Sequence, residues 1–198
     1  MWPRQMNDQA IGLATPSENY DPDLPGLLCI HGSGCTGAAF LPMLEHLQGA
    51  ANGAALDLPG HGHTPGPGRK RVDDYTAWLA AYLELCPGRP VLLGNSLGGA
   101  IALSMALDYP RLVSGLVLWG TGARLRVLPQ ILDGLANDFL PTVDLLTGLA
   151  YDNEADPALK DEGRRVMAAT RPEVLHGDYA ACHQFDVMDR LAQIDLPC

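Results

Sequence analysis

The chain has 198 residues, 47% of them hydrophobic and 18% charged, which suits one well-filled core and is too apolar for disorder. A formal net charge of −10 leaves no basic surface to neutralise phosphates, which argues against nucleic acid and anionic membranes as partners. The five cysteines are scattered with no C-x-x-C pair, a pattern that speaks against a disulfide framework or structural zinc and fits a reducing, cytoplasmic setting.

Residues 1–25 carry Pro3, Pro16, Pro22 and Pro25 and read as irregular, with 10–14 as a short edge strand. This stretch holds Asp8, Glu18, Asp21 and Asp23 and lacks the apolar run of a secretory leader. A buried strand is expected at 26–30, followed by the glycine-rich loop His31-Gly32-Ser33-Gly34-Cys35-Thr36-Gly37. Phe40, Met43, Leu44 and Leu47 share one face of a short helix at 40–47. The next strand, 53–56, runs into the loop Asp57-Leu58-Pro59-Gly60-His61-Gly62-His63-Thr64. Apolar residues recur at helical spacing from Val72 to Cys86, before Pro87 and Gly88 stop the helix. The basic run Arg69-Lys70-Arg71 ahead of it reads as a solvated face.

A short apolar strand at 91–93 turns through Gly94-Asn95-Ser96-Leu97-Gly98 into a helix that reaches Tyr109, and another strand follows at 115–119. Strands alternating with helices predict an α/β fold, a mostly parallel sheet with helices on both faces. After Gly122 the pattern turns helical, with helices expected at 128–139, 142–151, 157–169 and 172–182. The expected organisation is therefore an N-terminal part of the core at 1–122, a helical cap at 123–185, and a return to the core at 186–198. The uncharged stretch around Ser96 fits a strand, elbow and helix better than a membrane span, so the chain reads as soluble.

The elbow is a G-x-S-x-G pattern in the strand–turn–helix setting that it needs. A serine on so tight a turn crowds its neighbours' backbone, and glycine is the residue that fits there. The hydroxyl is then raised at the carboxyl edge of the sheet, beside a helix N-terminus whose free N–H groups can hold a developing negative charge.

Three loops fall at the carboxyl ends of adjacent strands, where open α/β sheets place ligands. These are His31-Gly32-Ser33-Gly34, the Asp57–His61 loop and the Ser96 elbow, and in this order they resemble the α/β-hydrolase superfamily. Within it they are similar to the branch of small carboxylesterases, carbon–carbon bond hydrolases and haloperoxidase-like enzymes. The resemblance implies Ser96 as nucleophile, with the backbone N–H groups of Leu97 and Ser33 as the oxyanion hole. It implies a small-molecule substrate, and with no H-x-x-x-H, no clustered Cys and His and no phosphate-loop lysine at the elbow, no cofactor or metal is suggested. The apolar cap residues Ile131, Leu135, Phe139, Leu145 and Leu146 favour a partly hydrophobic one. Oligomeric state leaves no signal.

Six histidines compete for the role of base. His31 and His61 read as braces of their loops, His63 has no assigned role, and His46 reads as exposed. His176 and His183 lie in or near the cap, where each could touch substrate or cover the core. Asp57 is expected to order its own loop, and Asp133 and Asp144 to lie on helix surfaces. Resembling proteins continue after their final Leu-Pro with a strand, an acidic residue, another strand and a histidine. The resemblance thus implies triad partners beyond Cys198, a C-terminally incomplete fold with an open sheet edge, and impaired activity of this chain. A second class of function, a non-catalytic binder that keeps the pocket, stays open. So does a base recruited from His176 or His183.

Overall fold

Runs that are apolar on both faces must be covered on both, and the fold meets that need around one sheet. The structure is a computed structural model describing residues 1–17 and 20–198; Glu18, cited above for the N-terminal stretch, lies outside the described residues. A hairpin of β1 (Gln5–Met6) and β2 (Gln9–Ala10) precedes the sheet. The sheet contains β3 (Leu13–Ala14), β4 (Gly26–Ile30), β5 (Asn52–Leu56), β6 (Val91–Asn95) and β7 (Gly115–Trp119), in the order β3-β5-β4-β6-β7. Only β3 runs antiparallel among them, against β5. The edge strand expected at 10–14 is thus split between the hairpin and β3.

Register divides the side chains between two faces. Leu28 is paired with Ala54 and Leu92, and Leu92 with Leu116; all four are buried beneath α2 (Val72–Leu83) and α3 (Leu97–Asp108). Their neighbours Cys29, Ala55 and Leu93 face the opposite way, onto Phe40 and Leu44, the latter in α1 (Leu41–His46). Val117 stands in register with Leu93 yet is 46% exposed, so the cover on this face stops short of β7.

Two helices end differently from their sequence pattern. The expected 40–47 helix is found at Leu41–His46 and is preceded by a 3-10 turn, Gly37–Phe40, whose first N–H donates to Asp57 Oδ1 at 2.8 Å. Helix α2 closes at Leu83, where Leu85 and Cys86 donate to Tyr82 and Leu83 three residues back, each at 3.0 Å. That tightening uses the last carbonyls of the helix before Pro87.

Beyond β7 the four expected helices are found as α4 (Pro129–Asn137), α5 (Phe139–Ala150), α6 (Pro157–Ala169) and α7 (Pro172–Gln184). Ile131, Leu135, Val143, Leu146 and Leu175 form a separate cluster, with Phe139 and Met167 against it. Ile131, Leu135, Phe139 and Leu146, read in the sequence as favouring a partly hydrophobic substrate, pack on one another in this cluster. Leu145 is also reassigned, since it points outward and is 53% exposed. After a 3-10 turn at Met188–Gln193, the Leu116 N–H donates to Pro197 O at 2.8 Å, so the chain meets the outer edge of β7 without forming a strand. Among the described residues no helix is long and apolar enough to cross a membrane.

Leu28 is wholly buried at the middle of the sheet. Replacing it by alanine leaves a cavity that the two covered faces cannot collapse into, and should lower unfolding free energy by about 2–5 kcal/mol. Urea titration would show this as a lower midpoint at unchanged slope.

Candidate active site

The elbow follows from close backbone approach. Between β6 and α3, Ser96 adopts φ 50 and ψ −114, a left-handed conformation that side chains rarely take. Such a residue is held at a cost of about 1–3 kcal/mol. Hydrogen bonds on both sides impose it. Ser96 N–H donates to Trp119 O at 3.0 Å, and Ser96 O accepts from Thr121 Oγ1 at 2.8 Å and from the Ala100 N–H at 3.1 Å. A Cβ at Gly94 would strike the Gly98 carbonyl, and one at Gly98 would strike that of Ile30. A Cβ at Gly32 would lie 3.2 Å from Ser96 Cβ, so the His31 loop abuts the elbow directly. The N–H groups of Ser33 and Leu97 make no hydrogen bond among the described residues, and neither does the hydroxyl of half-buried Ser96.

His31 is buried, with Nδ1–H donating to Gly32 O at 2.8 Å and Nε2 accepting the Leu58 N–H at 3.0 Å. An accepting Nε2 requires the neutral ring, and burial, with His61 nearby, lowers its pKa to about 4. His61 lies 4.9 Å away centroid to centroid, with Nε2 2.9 Å from Asp178 Oδ2. Burial pulls its pKa down, but the hydrogen bond and charge of Asp178 outweigh that and raise it above the ordinary histidine value. Both rings are engaged as loop braces.

Asp57 also serves its own loop, with Oδ1 accepting from Gly37 N–H and Oδ2 from His63 N–H, each at 2.8 Å. Asp178, on α7, is wholly buried and missing from the sequence reading. Its Oδ2 accepts from Gly34 N–H at 3.2 Å as well as from His61, and its Oδ1 from Tyr75 Oη–H at 2.6 Å. One signal was available: it falls in the stripe Val174, Leu175, Asp178, Ala181 and Cys182, a charge inside an apolar helix face.

The other candidates disperse. His46 is exposed and its Nδ1 is 2.6 Å from Pro42 O. His63 is 3.5 Å from Asp57 Oδ2 with an exposed side chain. His183 Nδ1 accepts from the Val127 N–H at 3.3 Å, and His176 is half-buried on α7. Asp133 bonds Asn137 within its own helix, and Asp144 pairs with Arg164. Buried Cys29 has its thiol pKa pushed up to about 12 by desolvation. Among the described residues no group of three or more His, Cys, Asp or Glu side chains is placed to hold a metal.

A parallel sheet whose βα loops converge on a serine elbow defines a hydrolase-like architecture. Residues 25–179 match the family model described as the alpha/beta hydrolase fold, and the chain belongs to that family. It is 29% identical to the pimeloyl-(acyl-carrier protein) methyl ester esterase of Aliivibrio salmonicida, over 86% of this chain and 70% of that protein. The protein of the same name from Vibrio campbellii is 26% identical, over 87% of this chain and 73% of its own length. A solved thermophilic esterase is 32% identical with a TM-score of 0.76, covering 93% of this chain and 68% of that one. A hydrolase from Pseudomonas aeruginosa PA01 gives 26% identity and a TM-score of 0.80, covering 95% and 73%.

Two outcomes follow from the strain and the histidines. Ser96→Gly, which relaxes the φ of 50, should be more stable than Ser96→Ala by about 1 kcal/mol, read by thermal denaturation. In an NMR titration the His31 ring should stay neutral down to about pH 4, whereas His61 should lose its proton only above the ordinary value. A depressed pKa contributes stability that is present above pH 6.5 and lost as pH falls towards 4; the raised pKa of His61 acts oppositely, on the alkaline side.

Proposed function

We propose that the chain is an ester hydrolase that acts through Ser96, with the N–H groups of Leu97 and Ser33 as its oxyanion hole. The observation that carries this reading is the strained Ser96 at the start of α3, with the Gly32 backbone packed against it. A serine held at that cost has little structural purpose, since glycine would satisfy the turn without strain. The esterase names of the relatives point to the same chemistry, and the substrate class is a small carboxylic ester.

In this mechanism Ser96 Oγ attacks the ester carbonyl while a general base accepts the hydroxyl proton. Negative charge gathers on the carbonyl oxygen, which the Ser33 and Leu97 N–H groups and the positive end of α3 stabilise. Each preset donor of this kind contributes a few kcal/mol to the transition state. The alcohol leaves with a proton, and water then cleaves the acyl-serine. His31 and His61 are not the base, because their ring nitrogens are spent on Gly32, Leu58, Pro59 and Asp178. On this reading the helical segment 123–185 covers the site, with Asp178 and Cys182 reaching Gly34 and Ser33.

The second reading is a non-catalytic binder that keeps the pocket. Covalent labelling decides between the two. A fluorophosphonate probe should modify the wild-type protein at Ser96. Ser96→Ala should abolish labelling and remove whatever p-nitrophenyl ester turnover depends on Ser96. Saturable binding of the ester without labelling or turnover would support the binder.

A further inference from the structure

We propose that Asp178 is the positioning residue of the oxyanion loop: by accepting the Gly34 N–H, a buried carboxylate from α7 fixes the segment that carries the Ser33 donor. This rests on Ser96 and Ser33 playing the parts given above.

The first argument is cost. A wholly buried carboxylate is expensive unless its lone pairs are filled, and apolar residues occupy every neighbouring position of the stripe. For packing alone, another leucine or alanine would serve. Asp178 instead gathers donors from three separate elements: Gly34 in the loop after β4, His61 in the loop after β5, and Tyr75 in α2. Tyr75 is fixed in turn, since its oxygen accepts the Arg69 N–H at 3.0 Å. His61 is fixed by the Pro59 carbonyl, 3.3 Å from Nδ1. The carboxylate therefore has little freedom to follow the loop, and the loop must follow the carboxylate.

The second argument is where that constraint acts. Gly34 N–H belongs to the Ser33–Gly34 peptide, so holding it anchors that plane and limits, through the φ and ψ of Ser33, how far the neighbouring plane that carries the Ser33 N–H can turn. Before it, Gly32 is pressed against Ser96; after it, Cys35 N–H turns back to Gly32 O at 3.2 Å. The Gly34 N–H has no other acceptor among the described residues. Gly34 has φ +65 and lies under Leu175 and Met167, where an added Cβ would come within 2.6 Å and 2.9 Å of their side chains. Ser33 Oγ rests 3.9 Å from Cys182 Sγ, one turn beyond Asp178. The donor loop is thus held from the helical side. An oxyanion donor is useful only within a few tenths of an ångström of its place, so a loop released by about 1 Å loses rate without losing affinity.

The test compares Asp178→Leu, which fills the space but accepts nothing, with Asp178→Asn, which keeps a carbonyl acceptor for Gly34. Amide hydrogen exchange of the 31–37 segment should speed up about tenfold or more in Asp178→Leu, with α2 and α7 exchanging as in wild type. Ester kcat should fall about 10- to 100-fold while KM stays within about twofold, and Asp178→Asn should recover most of both effects. Unchanged loop exchange, or faster exchange spread equally over α2 and α7, would overturn the proposal. So would a rise in KM at unchanged kcat. If Asp178→Leu does not fold, Tyr75→Phe removes one of the three donors. Loop exchange should then rise about threefold, and no change would count against the proposal. If wild type shows no Ser96-dependent labelling or turnover, the ester reading fails, and the exchange measurement alone still decides whether Asp178 holds the loop.

Discussion

Everything at the candidate site depends on backbone packed against backbone at the top of β6. Gly94 and Gly98 touch across the elbow, Gly98 touches the carbonyl of Ile30 at the end of β4, and Gly32 touches Ser96. The strands must end at the same level for those contacts to exist, and the parallel register of β4, β6 and β7 supplies that level. The bonds from Ser96 to Trp119 and Thr121 then clamp the turn from the β7 side. The strain at Ser96 is sustained by the surrounding sheet, which cannot relax at one residue without moving three strands.

Around that elbow the buried charges are divided by how they are satisfied. Asp57 is filled mainly by backbone N–H groups and so ties the chain to itself, from Gly37 to His63. Asp178 is filled mostly by side chains and so ties separate elements together. The two histidines between them differ in the same sense. His31, hydrogen-bonded to backbone alone, is kept neutral by burial, whereas His61, facing a carboxylate, is pulled towards its charged form. Among the described residues no buried side-chain nitrogen or oxygen is left without a partner. In a medium of low dielectric that completeness is what makes the network stiff.

Much of this fold was legible because its signals are local. The run 115–119 and the helix 157–169 are found where apolar runs and proline placed them, and the family match bears out the resemblance carried by the three loops. The helix end at 83 and the start at 40 were misplaced because an apolar pattern continues where the backbone has already tightened into 3-10 bonds, at Leu85 and Cys86 and over Gly37–Phe40. Ile131, Leu135 and Leu146 were read as favouring a partly hydrophobic substrate because periodicity reports which face is buried and not what buries it. Asp178 was overlooked for a related reason. Its partners lie at Gly34, His61 and Tyr75, and nothing in the spacing of a single helix refers to them.

Those partners are 144, 117 and 103 residues away along the chain. Closing a chain loop costs entropy that grows with its length, so such links are unprofitable until shorter ones have brought their ends near. The ladders of β4 with β5 and β6 span much less sequence and can form first. During synthesis the elbow leaves the ribosome well before α7 does. Strands β4, β5 and β6 can thus be paired while the site is still unfinished, and the site acquires its final shape only when α7 docks.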